Sequence, residues 1–464
     1  MKKKVNKKTS KYILIGVVLV FLIVAGVAYG EHRTKNNIYA LIEEEYARLE
    51  SFTRYGTHFN AQGSLDFPEG ISLKEAALVL KAPHSEYKIP VKYEISAEKL
   101  TFTASEYINA GINLEALELG EYLLLLRLEG ESKNGLPAER YYTLENVSGY
   151  DGFSYYTLSN AGECNNVVVE FAQAEYSSFA GEKRVFPTVS LSVERVALPD
   201  EYCDFVLEVG HGGEDPGAVG YLDGEEITEY ELNFAIASRM KSILEKKGYK
   251  VELSHYDNVD APSYGSGGRA VKPNEMKAKY SFSVHCNSHE LNIFSGTEVY
   301  AAGGSDFTFA RLLADRIVQG SRGSYSNQDL NEPSCYSVAD GVFVRLFAPE
   351  NVESTNKEAV ESGARPYENI KAYKTNYYYM IREIGGTVTG AYVDGRNQEY
   401  GSNPYFNSND VAEPYILEMN YVNNKATLRS LYENPDGYAS GAADAIDEYA
   451  SRLKSEKYED ISGK

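Results

Sequence analysis

The C-terminal half of this 464-residue chain is predicted to be an α/β domain, with an open, twisted mixed sheet flanked by helices. An all-β, sandwich-like domain and an N-terminal transmembrane helix are predicted to precede it. Three observations predict this. An uncharged apolar run spans Tyr12 to Gly30, and short β-branched and aromatic runs separated by turn formers fill residues 55–199. Beyond Asp200, strand-like runs alternate with amphipathic helical patterns. Two folded units suit a chain of this length. With 43% hydrophobic and 24% charged residues, the composition is that of a globular protein.

The first eleven residues, MKKKVNKKTSK, carry six lysines and no acid. The apolar run behind them is close to the ~17–25 residues a helix needs to cross a bilayer, and longer than the ~7–15 of a cleaved signal's apolar region. Residues 1–11 are therefore read as a cytoplasmic tail and 12–30 as a signal-anchor in the lipid bilayer, with everything after Glu31 outside the cell membrane. Ala28-Tyr29-Gly30 is a small-x-small triplet that leaves a cleaved, secreted form open. Residues 31–54 follow as a stalk, with a helix expected over Lys35 to Arg54 because Ile38, Leu41, Ile42, Tyr46 and Leu49 recur at helical intervals.

In the all-β region, 55–199, the runs ISLKEAALVL, YKIPVKYEIS, EYLLLLRL, VVVEFA and TVSLSV read as antiparallel strands. No catalytic cluster stands out there, and His58 and His84 are expected to be surface or structural histidines. From residue 200 onward, Phe205–Val209 reads as a strand. Thr228 with Glu231 forms a capping box opening a helix that Gly248 closes. Strands are expected at Tyr249–Leu253, Ser281–His285, Thr297–Ala301 and Ile416–Glu418, with a helix over about Asp306 to Val318. The four cysteines, Cys164, Cys203, Cys286 and Cys335, are too scattered for a disulfide scaffold and read as buried or free thiols, with a Cys164–Cys203 bridge as the alternative.

Strand ends in an open α/β sheet are where sites collect. Here three of them carry metal-type or acid–base side chains: His211 within VGHGGEDPGA, Glu229 at the head of the next helix, and His285 within VHCNS. Two histidines and one carboxylate that leave a coordination position open are a recurrent ligand set for catalytic zinc. Such a site also needs a general base, and Glu418, ending the apolar run PYILEMNY, suits that role. Glu225 and Glu226 lie close enough to Glu229 to compete for the third ligand position. His255 and His289 read as structural, and Cys286 as core, because neighbours on a strand face opposite ways.

The stretches VLEVGHGGEDPGAVG, EYELNFAIA, Arg269 through Asn274 to SVHCNS, GTEVY and ILEMNYVNN resemble, in order, the motifs of zinc-dependent N-acetylmuramoyl-L-alanine amidases over about Cys203 to Ser451. The resemblance implies that residues 200–464 form a zinc amidase domain. His211, Glu229 and His285 would bind Zn2+, and Glu418 would be the catalytic glutamate. The bond cut would be the amide joining N-acetylmuramic acid to L-alanine of peptidoglycan. Glu208-Val209 stands where the family usually has Asp-Pro, Cys286 replaces a common alanine and Asn420 a frequent glycine.

An insert around 302–413 exceeds the compact family core, with tracts Ser324–Arg365 and Thr387–Ala412 expected as long loops over the site. They read either as a cover that a protein regulator or the wall displaces, or as a surface extension. The β-region is a second place for such a regulator. The net charge of −21 opposes phosphate-backbone binding, which excludes nucleic acid as a partner. Two other functions remain open: a catalytically silent wall-binding or assembly protein on the same fold, and a zinc carboxypeptidase.

Overall fold

The computed structural model describes residues 39, 41–177, 183–262, 267–361, 363, 365–392 and 403–462. The anchor expected at 12–30 lies outside them, and among the described residues no helix is long and apolar enough to cross a membrane.

The β-rich region consists of two sheets that share one core. One runs in the order Leu144–Asn146, Ala47–Tyr55, His58–Asp66, Lys99–Thr103, Lys92–Ser96. The other runs Phe153–Tyr156, Glu163–Ser177, Lys183–Ala197, Gly120–Ser132, Ile71–Lys81, Glu86–Pro90, Glu459–Asp460. Alternate residues of both sheets, among them Phe52, Phe59, Leu78, Leu126, Val167 and Leu191, form the apolar layer between them.

The helix expected over Lys35 to Arg54 does not extend to its end: Tyr39 is helical, but Ala47–Tyr55 is a strand. Its register against the next strand slips between Leu49 and Ser51. This bulge brings Leu49 and Phe52, three residues apart, onto the same buried face, and of the residues whose spacing suggested a helix only Leu49 lies in the strand. The β-structure therefore begins eight residues earlier than Tyr55, at Ala47.

The second region is built on an eight-stranded mixed sheet. Its order is Val251–Leu253, Phe205–Val209, Tyr280–Asn287, Glu413–Tyr421, Glu298–Tyr300, Val342–Arg345, Cys335–Ala339, Asn331–Glu332. The first four strands are mutually parallel, and Glu298–Tyr300 runs antiparallel to Glu413–Tyr421. Helices Glu229–Lys246, Thr308–Ser321 and Pro435–Ser455 cover one face through Ile236, Phe309, Leu313, Ala442 and Ile446. On the other face Met380, Ile381 and Ile384 of the short helix Tyr379–Ile384 pack against Val206 and Ile416.

The insert differs from expectation. Ser324–Arg365 is not a long loop but supplies the three outer strands of this sheet and the helix Pro349–Glu361. Among its described residues the insert is part of the sheet and of its second apolar face. All four cysteines are free, and three of them are buried.

The two regions also share strands. Asp410–Val411 pairs in parallel with Arg54–Tyr55, and Glu459–Asp460 pairs with Tyr87–Lys88. Buried polar contacts reinforce the joint: Asp204 accepts hydrogen bonds from the backbone N–H of Ser159 at 2.9 Å and of Lys250 at 2.7 Å. Asn109 donates to Glu413 Oε1 at 2.7 Å. Glu413 is buried, and its Oε2 has no hydrogen-bond partner. Burial pushes its carboxyl up to about 8, against the opposing hydrogen bonds from Tyr415 and Asn109.

A carboxyl raised in this way binds its proton more tightly folded than unfolded. It imposes no penalty below the ordinary value of 4.5, and it costs stability increasingly as pH rises toward about 8. Urea unfolding is therefore expected to show Glu413→Gln losing less stability than the parent between about pH 5 and pH 8, by on the order of 3 kcal/mol. Equal slopes for the two proteins would remove Glu413 as the source.

Candidate active site

Each sequence-predicted site residue sits at the same end of the parallel strands. Phe205–Val209 is wholly buried and leads into Gly210 and His211, and His211 adopts a left-handed backbone with φ 68°. Gly210 lies against the imidazole of His285, so closely that an added Cβ would stand 2.3 Å from His285 Cε1. Gly217, at φ 69°, leaves similar room: a Cβ there would meet His211 Cδ2 at 2.6 Å and Glu229 Oε2 at 2.7 Å. These two positions need glycine because the cluster occupies the space a side chain would take.

Glu229 is the first residue of the helix Glu229–Lys246, and the expected capping box of Thr228 and Glu231 is formed at that end. Its carboxylate is the hub of the site. Oε1 lies 3.2 Å from His211 Nε2, 3.0 Å from His285 Nδ1 and 3.1 Å from the donating N–H of Cys286, while Oε2 accepts the N–H of Ala218 at 2.9 Å. Glu226 instead accepts from Tyr221 on the exposed hairpin Val219–Leu222/Glu225–Thr228, and Glu225 is exposed beside it. Of the three competing acids, Glu229 is the one beside the histidines.

One donor atom from each of His211, Glu229 and His285 falls within 4.8 Å of the others. Ligands in a tetrahedral zinc shell stand ~3.3 Å apart, close to the two Glu229–imidazole distances, so this donor set fits the ion. Its protonation agrees. Burial alone would discharge both imidazoles, yet the Glu229 carboxylate raises His211, and Glu208 with Glu229 raise His285 well above the ordinary value. Burial likewise opposes ionisation of Glu229, and the two imidazoles outweigh it. Cation binding by these donors would therefore compete with protons.

Glu418 is in register with His285 on one neighbouring strand and with Glu298 on the other. Its Oε2 is sealed from solvent without a hydrogen-bond partner. Burial raises its carboxyl to about 8; His285 opposes the rise, while Glu229 and Glu298 add to it.

Three residues near the site were given no role by sequence reasoning. Glu298 is fully buried and accepts from Ser326 Oγ at 2.6 Å, Asn287 Nδ2 at 2.9 Å, Tyr300 OH at 3.0 Å, and Tyr421 OH. Glu208 is fully buried, ion-paired to Arg269 and hydrogen-bonded by Ser283. Burial works against its charge, but Arg269 and His285 hold it down at about 2. A charged residue inside the apolar run VLEV was the available signal, since such a group needs a partner. That partner, Arg269, lies 61 positions away and cannot be read from spacing.

Among the described residues, the other histidines are not part of this donor set. His255 Nδ1 pairs with Ser254 Oγ at 2.9 Å, His289 packs on Phe294, and His58 is buried in the β-rich region. Cys286 faces the apolar core.

A family model described as N-acetylmuramoyl-L-alanine amidase matches residues 205–448. The chain belongs to the N-acetylmuramoyl-L-alanine amidase family. The matched span of this amidase-family chain contains His211, Glu229, His285 and Glu418 together with the whole of the insert around 302–413. N-acetylmuramoyl-L-alanine amidase AmiC of Escherichia coli is 31% identical over 143 residues, 30% of this chain and 33% of the relative. AmiC of Neisseria meningitidis is 33% identical over 95 residues, 20% of this chain and 21% of the relative. The amidase-family chain thus spans a third or less of the length of these two relatives. Among solved structures, the catalytic domain of the amidase CwlV from Bacillus (Paenibacillus) polymyxa var. colistinus aligns with 19% identity and a TM-score of 0.34, over 54% of this chain and 98% of that one.

Gly210→Ala is expected to push the His285 ring off its position. Zinc retention after dialysis should fall by at least about tenfold, because the added methyl overlaps a proposed ligand in a packed site. Retention equal to that of the parent would show that the ring moves aside at no cost.

Proposed function

We propose that this chain is a zinc-dependent N-acetylmuramoyl-L-alanine amidase. It would hydrolyse the amide between N-acetylmuramic acid and L-alanine of peptidoglycan on the outer side of the membrane that residues 12–30 anchor it to. The observation that carries the reading is the convergence of two imidazoles and one carboxylate beside an unpartnered glutamate, all within the family's matched span.

His211, Glu229 and His285 hold the ion in this reading. Bound zinc supplies a Lewis acid that polarises the scissile carbonyl and lowers the pKa of water. Glu418 takes the proton of the attacking water at a carboxylate oxygen and then gives it to the departing amine of L-alanine, as one positioned acid–base group. A bound divalent cation would favour the ionised form of this carboxyl, the form a general base needs. Asp215 Oδ2, 2.8 Å from His211 Nδ1, fixes the orientation of that ring.

The test is to incubate the detergent-purified full chain with purified peptidoglycan and zinc, then assay for new N-terminal L-alanine on the stem peptides. A freed C-terminal amino acid would instead indicate a carboxypeptidase. Binding without any new end group would indicate a silent wall-binding protein.

A further inference from the structure

The two ring nitrogens of His285 face two different carboxylates. Nδ1 is 3.0 Å from Glu229 Oε1, inside the proposed metal cluster, whereas Nε2 is 3.6 Å from Glu208 Oε2 on the side away from it. An imidazole that gives one nitrogen to a metal directs its other N–H to an acceptor, and a carboxylate there fixes both the tautomer and the ring plane. Glu208 occupies that place with no solvent exposure, so its position is set by protein contacts alone.

Those contacts lead out of the catalytic core. Ser283 Oγ donates to the same Glu208 Oε2 that faces His285, and Arg269 Nη1 donates to Oε1. Arg269 is itself buried, and its Nη2 donates to the hydroxyl of Tyr379 at 3.3 Å. Tyr379 opens the helix Tyr379–Ile384, whose Met380, Ile381 and Ile384 are packed under the sheet. A line of polar contacts therefore runs from the insert through Tyr379, Arg269 and Glu208 to His285.

We propose that Glu208 is a positioning residue for His285, and that the insert tunes the metal site from within the core through Tyr379 and Arg269. This rests on the zinc reading above. The insert acts here without covering the site. A rigid helix sets the guanidinium, the guanidinium sets the carboxylate, and the carboxylate sets the ligand ring.

The test uses the full chain in detergent, with zinc affinity measured by competition against a chromophoric chelator and site geometry by the visible absorption of the cobalt(II)-loaded protein. Glu208→Gln is expected to weaken zinc binding by about 10- to 100-fold and to shift the cobalt bands, while Glu208→Asp keeps affinity within about threefold of the parent. Tyr379→Phe removes one hydroxyl from a half-buried position and keeps the test open should Glu208→Gln fold poorly. It is expected to weaken zinc binding by about two- to fivefold, with the melting temperature of the zinc-free protein unchanged. Parent affinity and an unchanged cobalt spectrum in Glu208→Gln would overturn the role of Glu208. The same result in Tyr379→Phe would remove the insert from the line. A parent protein that binds no zinc fails the zinc reading itself. A parent that binds zinc and loses it in Glu229→Gln but not in Glu208→Gln fails this proposal alone.

Discussion

Glu418→Gln is expected to lower turnover on peptidoglycan by about 10³-fold while the protein still carries zinc, because a positioned acid–base group contributes ~10²–10⁴-fold. Glutamine keeps the shape and fills the same half-buried position, but it can neither accept the proton of water nor return one to the leaving amine. The dissociation of the two readouts is the informative part. Elemental analysis should give the parent metal content, and the end-group assay should give almost no new L-alanine. Loss of zinc together with activity would mean that Glu418 supports the ligands instead of moving protons. Activity within a few-fold of the parent would remove Glu418 from the mechanism.

Glu229→Gln is expected to abolish both metal and turnover, and Glu226→Gln neither. Loss of an outer partner of a ligand costs ~10–100-fold in affinity; loss of the carboxylate that both imidazoles face should exceed that. The substitution removes the one anionic oxygen that both imidazoles face, so a divalent cation there would lose its charge-neutralising ligand. Glu226 lies on the exposed hairpin, bonded to Tyr221, and has no route to the cluster. The opposite pattern of zinc contents would transfer the third ligand position to Glu226.

How far the sequence could be read depended on the distance over which each signal acts. The head of the Glu229 helix was legible because a capping box is a local device of four residues, and it is formed as expected. The strand ends carrying His211 and His285 were legible because apolar runs ending in glycine or polar residues mark them. The first β-strand was not, since the helical spacing was carried by Ile38, Leu41, Ile42 and Tyr46 ahead of it, and only Leu49 of that pattern belongs to the strand. The outer strands of the insert were missed for another reason. Val342–Arg345 is only four residues long, and it is a strand because Glu298–Tyr300 stands ready to pair with it. Glu208 and Arg269 were visible as residues but not as a pair, and the contact of Arg269 with Tyr379 joins positions 110 apart.

The return of Glu459–Asp460 to the edge strand Glu86–Pro90 has a consequence for how this chain comes to its final shape. The N–H of Glu86 bonds to a carboxylate 374 positions later, so the ribosome must have made the chain through Asp460 before that ladder can close. Until then the edge strand offers unpaired amides to any neighbour, a state that favours aggregation. Folding of this protein therefore includes a long-range closure. A fragment cut near residue 200 would separate hydrogen-bonded neighbours and leave bare strand edges on both pieces.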